Sequence, residues 1–136
     1  MLDHAPDHTF QTRRGAFRIW TLDTTLVTEV TGVFESALVG PYIAALDDWE
    51  RRRGPGLLRA FHDWERLEDY DMKARLGLTE WTLQHRHEFE RIHVLTTSKL
   101  VQYGVAAANI VLRGLIVTYA ERAPFERAFA QAVGGR

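Results

Sequence analysis

The chain has 136 residues, 46% hydrophobic and 26% charged, the mix of a single soluble globular domain. Lys and Arg number 17 and Asp and Glu 18, so the net charge of -1 excludes a strongly basic nucleic-acid binder and an acidic disordered tail. There is no Cys, which excludes disulfides, thiolate metal sites and a cysteine nucleophile.

A chain of this size buries roughly two-thirds of its unfolded surface, so the core needs no covalent or metal staple. The opening residues, Met1 to His8, show no basic region followed by an apolar stretch, so no secretory signal is read there. The longest uncharged run, Leu100 to Leu112, is too short to span a membrane. The expected location is the cytoplasm. Residues 1–14 read as a flexible lead, 15–133 as one domain and 134–136 as a tail.

The first strand is expected over Gly15 to Leu22, where large apolar residues alternate with small or polar ones. Asp23-Thr24-Thr25 reads as a turn, and Leu26 to Phe34, rich in Val and Thr, as the hairpin partner. A helix follows from Ser36 to Arg53. Ser36 is its expected N-cap, although Pro41 draws the regular part toward itself. Tyr42, Leu46 and Trp49 form its apolar stripe, and Arg51 to Arg53 complement the helix dipole. Gly54-Pro55-Gly56 turns the chain.

Leu57 to Trp64 reads as a third strand, Glu65 to Asp69 as a charged loop and Tyr70 to His85 as a helix. Arg91 to Thr97 gives a fourth strand. Lys99 to Arg113 gives a helix capped by Ser98 and ended by Gly114. Leu115 to Tyr119 gives a fifth strand and Pro124 to Val133 a last helix. The order β-β-α-β-α-β-α-β-α predicts an α/β domain. Its mixed sheet has about five strands, parallel except at the opening hairpin.

This order, with "RIWTLDTTLVTEVTGVFE", "LLRAFHDW", "RIHVLTTS" and "GLIVTYAERAPFERAFAQA" in sequence, resembles the STAS superfamily. The best-known members are bacterial anti-sigma-factor antagonists. The likeness is nearer to the SpoIIAA-like subgroup, which is also likened to the CRAL-TRIO lipid-binding fold. The resemblance spans Gly15 to Val133 and implies helices mainly on one face of the sheet. Phosphorylatable members carry Asp-Ser-Ser/Thr-Gly after the third strand. Matched outward from Asp63, that position falls at Asp71-Met72-Lys73-Ala74, where Met72 and Lys73 stand in place of the hydroxyl.

The resemblance thus implies a non-catalytic interaction module without a phosphorylation switch. It would meet a protein partner through Asp63, Glu65, Glu68, Asp69, Asp71, Met72 and Lys73, and would form a homodimer. The alternative is a binding domain for a lipid or other apolar small molecule, with Trp49, Trp64, Tyr70 and Trp81 lining the pocket. Core packing is the competing account of those aromatics.

Other constellations are weaker. His85-Arg86-His87 would put two imidazoles on one strand face, with His62 and Asp63 as further metal ligands, but no His-Glu-x-x-His is present. Thr96-Thr97-Ser98-Lys99 offers an anion site at a helix start, or simply a cap. No Gly-x-Ser-x-Gly elbow supports a hydrolase. No cofactor and no catalytic residue is expected.

Overall fold

In the computed structural model, which describes residues 2–134, an antiparallel meander opens the sheet. Strand β1 (His8–Gln11) pairs with β2 (Gly15–Leu22), and β2 with β3 (Thr25–Phe34). The two-residue turn between β2 and β3 needs Asp23 at a φ of 58°. Strand β1 corrects the expectation of a flexible lead. Its residues pair along β2, and all but His8 are exposed, so no apolar alternation marks it in the sequence.

From β3 the chain steps one way across the sheet. Helix α1 (Ser36–Arg52) leads to β4 (Leu58–Asp63), and β5 (Leu67–Tyr70) and α2 (Met72–Gln84) lead to β6 (Phe89–Leu95). Helix α3 (Lys99–Val111) then leads to β7 (Ile116–Tyr119), and α4 (Arg122–Gly134) closes the described chain. The order in the sheet is β1-β2-β3-β4-β6-β7, with β5 pairing β3 off this path. Parallel steps in a single direction, each right-handed, lay their helices on one face.

Two cores result. On one face α1, α2 and α3 cover Leu26, Val30, Ala60, Ile92 and Val94. On the other, Phe125 and Phe129 of α4 meet Trp20, Val27, Phe61 and Leu95. Alternation along the strands produces this split: Ala60 and His62 face three helices, while Phe61 faces the fourth. Full burial of each large apolar side chain contributes about 1.5–3 kcal/mol.

The sheet has seven strands against the five expected. The added strands are β1 and β5, the second in the segment expected as a charged loop. There β3 changes partner: Thr25 to Glu29 pair with β4, and Gly32 to Phe34 with β5. At the switch Gly32 has a φ of 76°, and a Cβ there would lie 2.3 Å from the Arg14 carbonyl oxygen. Ser36 is the first helical residue rather than the N-cap, a position held by Glu35. Pro41 lies inside α1 and does not mark its start.

Candidate functional site

Where β3 passes from β4 to β5, α2 and α3 bridge the sheet above a cavity of about 70 Å³. Its floor is Val30 and Phe34 from β3, His62 from β4, and Ile92 and Val94 from β6. Trp64, Leu67 and Tyr70 wall one side. Arg75, Leu78 and Thr82 of α2 face Val101, Gly104 and Val105 of α3. The lining is nearly all apolar, with a few polar groups among it, the usual make-up of a small-molecule site.

The polar groups are individually placed. His62 is 7% exposed, and its Nδ1 lies 2.7 Å from the Thr28 hydroxyl. Burial, then the nearby His93, pulls its pKa down to about 3, so the ring is neutral near pH 7. The ring stacks on Trp64 with centroids 4.7 Å apart. Beneath lies Tyr42, fully buried. Its hydroxyl sits near Thr28 and Trp64, but among the described residues neither it nor Trp64 Nε1 completes a hydrogen bond. Burial raises the Tyr42 pKa.

Tyr70 reaches α3 because residue 104 is Gly. A Cβ there would lie 2.7 Å from the Tyr70 hydroxyl. Arg75 sits over that ring, its guanidinium carbon 5.8 Å from the centroid.

Of the four aromatics expected to line a pocket, Trp64 and Tyr70 do. Trp49 does not. It is core, 2% exposed, with Nε1 donating to the Asp23 carbonyl at 2.7 Å. Trp81 also packs in the core and donates to Asp47 at 2.7 Å. Arg75, Gly104 and the floor residues are absent from the sequence expectation. A glycine inside an otherwise good helix was the one available signal.

The acids expected to form one partner surface separate. Asp63, on the α4 face, receives both its carboxylate oxygens' bonds from Arg122 at 2.9 Å, and Arg122 also reaches Glu65 at 2.7 Å and Glu126 at 3.2 Å. Asp71 is taken up by α1: its Oδ2 accepts from the Ser36 N–H at 2.8 Å. Glu68, Asp69, Met72 and Lys73 are exposed.

The histidines do not assemble as expected. His85 is the C-cap of α2, its Nδ1 bonded to the Trp81 carbonyl at 2.8 Å, and His87 lies in a 3₁₀ turn. Neither is on a strand, and His62 is buried under α2 and α3. His85 instead meets Glu50 and Glu88, with ligand atoms within 4.8 Å of one another. Glu88 is already paired with Arg53 at 2.9 Å. Ser98 caps α3 as expected, accepting from the Val101 N–H at 3.3 Å.

No protein-family model matches the chain, and no curated protein matches it in sequence. A solved structure does match: an uncharacterized protein of the DUF3478 family from Shewanella loihica PV-4, with a SpoIIAA-like fold. The TM-score is 0.64 over 88% of this chain and 96% of that one, at 15% identity. The fold is SpoIIAA-like. In this SpoIIAA-like domain the cavity lies on the three-helix face, and Met72 and Lys73 open α2 at its side. No helix among the described residues is long and apolar enough to cross a membrane.

Proposed function

We propose that this domain binds a small, largely apolar ligand between α2, α3 and the sheet, and acts by binding rather than by chemistry. The observation that carries this reading is the cavity itself. It opens among Val30, Phe34, Val94, Val101 and Val105, side chains of the core under α2 and α3. Interiors of folded domains are close-packed, so an apolar void reaching the surface invites an occupant.

The test is calorimetric binding of octan-1-ol to the wild-type protein and to Ala108→Trp, which enlarges a lining residue of α3 to fill the cavity. Saturable binding that the variant loses supports the reading. No binding, or equal binding by both proteins, sinks it.

A protein-interaction role is the second reading. It is supported by exposed apolar side chains on the helices that bound the cavity. They are Met72, Leu76 and Leu83 on α2, and Leu100, Tyr103, Ile110 and Val111 on α3. Asp63, Glu65 and Asp71 support it less, since each already serves an intramolecular partner.

A further inference from the structure

We infer that the ligand of this cavity is a single-chain carboxylate, its alkyl end among the valines and its head on Arg75. The inference rests on the apolar-pocket reading above and adds the chemistry of the head.

Among the lining residues Arg75 alone carries a permanent charge. It is half-buried, yet among the described residues its guanidinium has no ion pair and no side-chain hydrogen bond. Of the other half-buried arginines, 53, 59 and 122 meet a carboxylate and 86 meets a carbonyl, while the further described arginines without an ion pair, 13, 66, 91, 113 and 127, are exposed. Arg75 instead lies over the Tyr70 ring at the edge of the cavity, with its planar fork of donors unpaired. A carboxylate fills that fork with two parallel hydrogen bonds, which a neutral group cannot match and a cation would oppose.

The surroundings agree. Glu68 and Asp69 are exposed and do not line the cavity, so no neighbouring acid neutralises the site from within. The other polar side-chain groups of the lining are hydroxyls, the Trp64 indole N–H and the neutral ring of His62, none of them anionic. The volume of about 70 Å³ is smaller than the ~150 Å³ dry cavity that admits benzene. It takes the terminal carbons of one alkyl chain, the rest lying along the opening toward Arg75, and not the paired tails of a membrane lipid.

Calorimetric titration with octanoate and octan-1-ol separates head from tail. Wild type is expected to bind octanoate about five- to tenfold more tightly than the alcohol. Arg75→Gln is expected to remove that preference, weakening octanoate more than the alcohol. Arg75→Lys, which keeps the charge but not the fork, retains part of it. Equal affinities in wild type, or a preference that survives Arg75→Gln, overturn the inference while the pocket reading stands. If neither compound binds wild type, or Ala108→Trp binds both undiminished, the pocket reading fails and this inference with it. Phosphatidylglycerol vesicles that compete with octanoate would assign the site to a membrane lipid and also overturn it.

Discussion

Asp71 stands at the N-cap of α2, yet its carboxylate caps α1: Oδ2 accepts from the Ser36 backbone N–H at 2.8 Å and from the Ser36 hydroxyl at 3.2 Å. One acid thus ties together the starts of two helices. The Ser36 N–H, chiefly, holds its pKa below the ordinary carboxylate value, with Arg14 adding to the effect. The bond's contribution is therefore complete above the unfolded carboxyl's range. It is lost as pH falls through the lower folded value. Asp71→Ala is expected to lower the melting temperature by a few degrees. Asp71→Asn, which still accepts from the N–H, is expected to lower it less. Equal losses in thermal unfolding would show that the charge, not the hydrogen bond, matters.

Arg122 is the counterpart on the other face. It closes Asp63, Glu65 and Glu126 into one network, and the Asp63 side chain is only 12% exposed. Arg122→Gln leaves a largely buried carboxylate without its cation, at an expected cost of about 1–2 kcal/mol after allowance for the half-exposed arginine. Adding Asp63→Asn recovers part of that loss, because the uncompensated charge is gone. Urea denaturation of the two single variants and the double variant measures the coupling. Strict additivity would mean the pair contributes nothing.

His62 makes stability depend on pH. Its folded pKa, about 3, lies below that of an unfolded histidine. Between those values the unfolded chain binds the extra proton, so stability falls as pH drops below about 6.5. His93, lowered to about 4 mainly by burial, acts in the same direction. From pH 7 to pH 5, His62 alone is expected to remove about 2 kcal/mol. His62→Gln is expected to flatten that part of the profile in chemical denaturation. An unchanged slope would place the titrating group elsewhere.

Gly104 and Tyr70 set the width of the cavity. Alanine at 104 favours the helix by up to about 1 kcal/mol, but its Cβ meets the Tyr70 hydroxyl. Gly104→Ala is expected to change stability by less than about 1 kcal/mol while weakening octanoate binding several-fold, as Tyr70 is pressed into the cavity. Tyr70→Phe in that background, which removes the colliding hydroxyl and keeps the wall, is expected to recover part of the binding. Undiminished affinity in Gly104→Ala would mean that Tyr70 swings toward solvent.

The strands and helices with a strong period were legible in the chain. Tyr42, Leu46 and Trp49 marked α1, and Ser98 marked the start of α3. Strand β5 was not, because Leu-Glu-Asp-Tyr buries only Leu67 and reads as a polar connection. Trp49 sits in the buried stripe of α1 and Trp64 just past β4. That only the second reaches a cavity depends on α2 and α3 crossing beside it, a relation between distant segments. Arg75 was invisible for a similar reason: a charge on a helix is solvated by default, and only its place beside Tyr70 and α3 gives it another reading.

The divided pairing of β3 bears on how such a domain diversifies. Its first half is registered against β4 and its second against β5, with residues 64–66 as the only tether between them. An insertion or deletion in that tether would re-aim Trp64, Leu67 and Tyr70 together and leave the β3–β4 register intact. One short indel could thus reshape what the cavity accepts, while the scaffold beneath it keeps every rung of its ladder.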